Sequence, residues 1–101
     1  MLPKNRPPTH PGEMLQEEFL TPLGMSQVTL AGKMGVPVQR INTLINGKRG
    51  ISPDTALRLG RYFGNSARFW LNLQLNYELS IAERSIGEKI RDEIKPAASA
   101  A

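Results

Sequence analysis

Apolar residues recur at intervals of three and four along most of this chain, and Gly, Pro and Ser break the recurrence into segments of helical length. Few runs are rich in β-branched residues, so the pattern predicts an all-α chain of five or six helices. The first runs from about Pro11 to Leu20, with Met14, Leu15, Phe19 and Leu20 at helical spacing, and is closed by Pro22 and Gly24. Ser26 caps a second helix through Met34, with Leu30, Ala31 and Met34 as its apolar face and Gly35 after its end. Pro37 fits the first turn of a third, which runs to about Asn46 with Ile41 and Leu44 facing inward and stops at Gly47. Ser52 and Pro53 open a fourth, striped by Ala56, Leu59 and Phe63 and ended by Gly64.

Ser66 starts a fifth segment in which two periods compete. Leu71, Leu73, Leu75, Tyr77, Leu79 and Ile81 alternate with polar residues, the pattern of a half-buried strand. Wound as a helix, the same stretch sorts into Leu71, Leu75 and Leu79 on one side and Trp70, Leu73, Tyr77 and Ile81 roughly opposite. Two opposed apolar faces suit a helix that packs on its own domain and on a partner chain. The cap at Ser66 and the helical neighbours favour helix; Trp70, Leu73, Tyr77 and Ile81 are the candidate dimer face, with core packing inside one subunit the equal alternative for Trp70 and Tyr77. A last helix carries Ala82, Ile86, Ile90 and Ile94, weakened at Gly87 by about 1 kcal/mol relative to Ala. The expected organisation is a flexible leader over 1–10, rich in proline, a helical domain over 11–79, a helical extension over 80–95 and a flexible tail over 96–101. No internal repeat is visible.

Composition changes this picture in two ways. The 101 residues suffice for one small domain rather than two lobes around a cleft, and burying further surface in a dimer would help so small a core. The formal net charge of +4 is also unevenly placed. Residues 1–36 sum to zero and residues 69–101 to −1, whereas Pro37–Arg68 carries Arg40, Lys48, Arg49, Arg58, Arg61 and Arg68 against Asp54 alone. Such localisation is the electrostatic footprint of a polyanion-binding surface.

Other counts exclude chemistry. Without cysteine there is no disulfide, thiolate metal site or cysteine nucleophile, which fits a reducing, cytoplasmic location. The single histidine, His10, cannot build a multi-histidine metal site, and no cofactor is expected. No apolar run approaches the length of a membrane span, and the first nine residues lack the apolar core of a signal peptide. Glu13 with Glu17 or Glu18 is the carboxylate pair from which a hydrolase could be assembled. Such pairs are usually a solvated helix face, and no ligand cluster surrounds these, so no enzymatic activity is expected.

The second and third helices, joined by a tight Gly turn, have the lengths and core positions of a helix-turn-helix. Leu30, Ala31, Val36, Ile41 and Leu44 set the crossing, leaving Val38, Gln39, Arg40, Asn42 and Thr43 for the outward face of the second. Gln, Asn and Arg hydrogen-bond base edges, and Val and Thr methyls suit the thymine methyl, so these five are the candidate base readers. Gln27 in the first turn of the preceding helix, with Asn46, Lys48 and Arg49 beyond the recognition helix, are the candidate phosphate contacts. Arg58, Arg61 and Arg68 are expected to be solvated or ion-paired instead.

The run Met25-Ser26-Gln27-Val28-Thr29-Leu30-Ala31-Gly32-Lys33-Met34-Gly35-Val36 with Asn46-Gly47-Lys48-Arg49 resembles the DNA-binding core of the phage-repressor (Xre/Cro) helix-turn-helix family. With His10-Pro11-Gly12-Glu13 before it, and Ile51-Ser52-Pro53-Asp54-Thr55-Ala56-Leu57-Arg58-Leu59 and Phe69-Trp70-Leu71-Asn72-Leu73-Gln74-Leu75-Asn76-Tyr77-Glu78-Leu79 after it, the chain resembles HigA-type antitoxins, also called virulence-associated protein I, over roughly residues 6–84. The resemblance implies a lambda-repressor-like domain and a homodimer. It also implies binding to an inverted-repeat operator, repression of the chain's own operon, and neutralisation of a HigB-type mRNA endonuclease toxin by direct contact. A repressor of the same fold without a toxin is the alternative. One departure from the family pattern is Pro37, where a Ser or Thr N-cap is usual: it offers neither a cap hydroxyl nor an N–H.

Overall fold

The computed structural model describes residues 9–98, so the expectations for residues 1–8 and 99–101 fall outside it. The described residues form five helices and no strand. Helix α1 covers residues 11–23 as Pro11–Leu15, a wide turn over Gln16–Leu20 and a last turn Thr21–Leu23. It outlasts its expected end because the wide turn shifts the hydrogen-bonding frame: the Thr21 N–H reaches back five residues to the Gln16 carbonyl, and Pro22 is accommodated in the turn that follows. His10, placed by the sequence reading in the leader, is the N-cap of α1, its Nδ1 accepting the Gly12 N–H at 2.9 Å.

Helix α2 is Gln27–Met34, capped by the Ser26 hydroxyl, which accepts the Thr29 N–H at 3.1 Å. It ends at Gly35, whose φ of +69° lets the Val36 N–H return to the Ala31 carbonyl and turn the chain sharply. Helix α3 is Val38–Ile45. Pro37 stands one position earlier than expected: with ψ of 145° it is the extended N-cap rather than a first-turn residue, and no side chain caps α3. Helix α4 is Pro53–Phe63, capped by Ser52.

The competing periods of the fifth segment resolve as helix, and the separately expected last helix is continuous with it. Helix α5 covers residues 67–93 as Ala67–Ala82, a wide turn Glu83–Gly87, and Glu88–Glu93, with Ser66 accepting the Phe69 N–H at its start. It therefore crosses the expected 79/80 boundary without a break. The poor helix former Gly87 sits in the irregular turn, where regular hydrogen bonding is already lost.

Leu15, Leu20, Leu30, Ile41, Leu44, Leu59 and Trp70 are fully buried and form the centre, one or more from every helix. Trp70 is enclosed by Phe19, Phe63 and Phe69, and its indole N–H is satisfied by Asn65 Oδ1 at 2.8 Å. Helix α1 reaches α3 through Gly12: a Cβ there would overlap the backbone of Leu44 and Ile45, so only glycine permits this approach to the end of α3. Past the globule, α5 projects and leaves Ile81, Ile86 and Ile90 exposed, as is Ile94 just after its end. The molecule measures 54 × 27 × 24 Å.

Candidate nucleic-acid interface

The interface is built on the α2–α3 pair. Leu30, Ala31, Ile41 and Leu44 are buried between these helices and the rest of the core, and Val36 packs half-buried at the turn. Burying Ile41 and Leu44 turns the rest of α3 outward. Val38 and Gln39 are exposed, and Arg40, Asn42 and Thr43 are half-buried along its edges.

The five candidate readers are not equally free. Gln39 has no side-chain partner among the described residues. Thr43 spends its hydroxyl proton on the carbonyls of Gln39 and Arg40, at 2.9 and 3.2 Å, so its methyl and oxygen lone pairs remain for a ligand. Asn42 donates to Gln27 Oε1 at 3.2 Å and accepts from Asn46 Nδ2 at 3.3 Å. A relay of three amides thus joins residues assigned separately to phosphate (Gln27, Asn46) and base (Asn42), holding the start of α2 to the side of α3.

Arg40 is engaged within the fold. Its Nη1 lies 2.7 Å from Asp54 Oδ1, the atom that also accepts from Arg58 Nε at 2.8 Å. Arg58 continues to the Met34 carbonyl at 2.8 Å, so one carboxylate and two guanidinium groups tie α3 and α4 to the end of α2. The two arginines hold the Asp54 carboxyl below its ordinary range, Arg58 with the larger effect. Arg58 is ion-paired as expected, whereas the pairing of Asp54 with Arg40 was not foreseen. The available clue was the isolation of Asp54 in a basic stretch, one helical turn before Arg58.

The loop after α3 presents Lys48 and Arg49, both exposed and without a side-chain partner among the described residues. Its backbone is drawn back to α3 by Lys48 N–H to the Thr43 carbonyl at 2.9 Å and Gly47 N–H to Leu44 at 3.1 Å. His10 lies against this loop at Gly47 and edge-on to Tyr77, ring centroids 4.8 Å apart. Burial lowers its pKa, opposed by the charge of Glu13.

The candidate dimer face needs correction. Trp70 is fully buried in the monomer core, while Leu73 and Tyr77 are half-buried against the body of the same chain. Only Ile81 of that set is exposed, because it lies where α5 leaves the globule. The outward face carries Leu75 and Leu79, continued by Ile86 and Ile90. The two faces expected from periodicity are not kept whole: Leu71, grouped with Leu75 and Leu79, is half-buried against the core beside Leu73, while Ile81 of the opposite group is exposed.

Glu13 and Glu17 are exposed on α1. An open groove of about 430 Å³ lies elsewhere, lined by Lys33, Met34, Leu57, Arg58, Arg61 and Tyr62, with no carboxylate in its wall. Among the described residues no group of three His, Cys, Asp or Glu could hold a metal, and no helix is long and apolar enough to cross a membrane.

Residues 16–70 match the helix-turn-helix family profile. The chain is 51% identical over 78 residues to virulence-associated protein I of Dichelobacter nodosus, covering 77% of this chain and 72% of that one. It superposes with a TM-score of 0.88 on a Pseudomonas aeruginosa protein solved with an 18-bp operator DNA, at 45% identity and with 90% and 96% of the two chains covered. The Pseudomonas aeruginosa antitoxin HigA, solved with the higBA promoter, gives a TM-score of 0.84 at 46% identity, covering 88% and 97%.

Proposed function

Because the chain belongs to the helix-turn-helix family that includes virulence-associated protein I and the HigA antitoxins, we propose that it is an operator-binding repressor that also neutralises a toxin encoded beside it. The observation that carries the DNA reading is the outward face of α3, with Val38, Gln39 and Thr43 presented beside the unpaired Lys48 and Arg49. Two relatives with the same fold were solved on operator or promoter DNA, which supports the same role here.

In this reading Gln39 and Thr43 meet base edges, Val38 a thymine methyl, and Gln27, Asn46, Lys48 and Arg49 the phosphates. Arg40 and Asn42 reach bases only with the bonding capacity that Asp54 and the amide relay leave them. Two α3 helices must enter successive major grooves, so the operator is an inverted repeat with half-sites about 34 Å apart, or a multiple of that distance, and the protein binds as a homodimer. The toxin is an mRNA endonuclease of the HigB type, bound directly in the cytoplasm; the chain itself performs no catalysis.

Titration of a duplex from the chain's own promoter across a salt series tests the DNA reading. Affinity should fall steeply as salt rises. Arg49→Ala should weaken operator and unrelated duplexes alike and reduce the salt slope by about one, whereas Gln39→Ala should change preference among operator variants. A flat salt profile refutes the interface. Co-expression with the adjacent open reading frame tests the toxin role: growth rescue and co-purification are expected, and failure of both leaves a repressor without a toxin.

A further inference from the structure

The loop between α3 and α4 carries the two unpaired cations of the proposed interface, yet it belongs to no helix that could hold them in register. Its far end is held by α5. The Ile51 N–H donates to Gln74 Oε1 at 2.8 Å, and Gln74 Nε2 donates to Glu78 Oε2 at 2.6 Å. Gly50 lies against the same amide so closely that a Cβ would come within 2.8 Å of both its nitrogen and its oxygen. The near end is held to α3 by its own backbone, and His10, packed on Tyr77 of the same α5 face, lies beside Gly47. One turn of α5 therefore holds the loop directly at Gly50 and Ile51, beyond Lys48 and Arg49, and borders its near end through His10.

We propose that Gln74, braced by Glu78, is a positioning residue for DNA binding: its amide places the Lys48–Arg49 loop and links α5 to operator affinity. This rests on the operator-binding reading above. Ile51 is buried, so its N–H needs a partner from the protein, and Gln74 supplies it. Without that bond the loop keeps its anchor at Thr43 and Leu44 but loses its far anchor, and phosphate binding must then supply the cost of ordering it. The outward residues Leu75 and Leu79 lie on these same turns, so a chain that binds there bears directly on the helix that holds the loop.

The test compares the wild type with Gln74→Leu, Glu78→Ala and the exchange Gln74→Glu with Glu78→Gln. Binding to the promoter duplex is measured by anisotropy across a salt series, and the Ile51 amide of the free protein by hydrogen exchange. Gln74→Leu should weaken binding about three- to tenfold, the effect of one hydrogen bond, and speed Ile51 exchange. The exchange Gln74→Glu with Glu78→Gln, which keeps an acceptor for Ile51, a donor–acceptor pair between the two side chains and the same net charge, should recover most of the affinity. Glu78→Ala, an exposed change that spares the Ile51 bond, should give a smaller loss and serves if Gln74→Leu does not fold. Arg49→Ala should cost less in the Gln74→Leu background than in the wild type, which general destabilisation would not produce. Wild-type affinity and salt slope in both Gln74→Leu and Glu78→Ala, with the wild type binding normally, overturn the inference. A wild type that binds no promoter DNA removes both it and the functional reading.

Discussion

At the scale of single residues, the largest change from sequence to structure concerns Arg40. A guanidinium on the outward side of a recognition helix suggests a guanine reader, but its partner Asp54 is fourteen positions away and only folding brings them within 2.7 Å. Replacing Asp54 by Ala should release Arg40, broaden or shift base preference in operator-variant titrations, and lower thermal stability at neutral pH. Since the arginines depress the Asp54 pKa, the pair's stabilising effect is present above the ordinary carboxylate value of 3.8 and lost as pH falls through the lower folded value. The melting temperatures of wild type and Asp54→Ala should therefore converge at strongly acidic pH. His10 titrates with the same sign for another reason. Burial favours its neutral form, whose Nδ1 caps α1, so its contribution is complete above the unfolded value of 6.5 and declines as pH drops toward the folded one. In His10→Asn, which keeps a capping oxygen, the melting temperature should vary less between pH 7 and 5 than in the wild type.

Helices α2 and α4 follow their local chemistry closely. A serine cap, an apolar stripe and a terminal glycine define each from residues within one turn of its ends, and all three interactions are local. The elements that departed from expectation are those whose ends depend on contacts elsewhere. Helix α1 runs past Pro22 by adopting a wide turn, and the fifth and last expected helices join into one α5 through another wide turn that takes in Gly87. The strand-like alternation of 71–81 gave way to helix because Trp70, Leu73 and Tyr77 all find cover on one side. Trp70→Ala should accordingly cost about 3–5 kcal/mol in denaturant unfolding, the range for a large aromatic removed from a packed core. A loss below about 1 kcal/mol would place Trp70 outside that core. Gly12→Ala should be disruptive out of proportion to its one added carbon, because the obstacle is the backbone of Leu44 and Ile45 and not a side chain that can turn away.

For the whole molecule, the decisive arrangement is the α2–α3 pair proposed to face DNA at one place and a projecting helix with an exposed apolar stripe at another, joined by the Gln74–Glu78 turn. Sedimentation should show wild-type dimers at micromolar concentration. Leu75→Glu with Leu79→Glu should shift them to monomers and weaken operator binding while leaving helix content unchanged; a dimer unaffected by both changes would place the interface elsewhere. The sequence by itself determined the helical class, the position of the recognition pair and the concentration of positive charge around it, because these rest on interactions between residues a few positions apart. Only the tertiary structure decided that Arg40 and Arg58 neutralise Asp54 while Lys48 and Arg49 stay free, and that Trp70 faces the core while Leu75 and Leu79 face out. Only it could show that α5 holds the loop. Each of these depends on which distant groups are brought into contact, and two faces equal in hydrophobicity are told apart only by the neighbour that covers one of them.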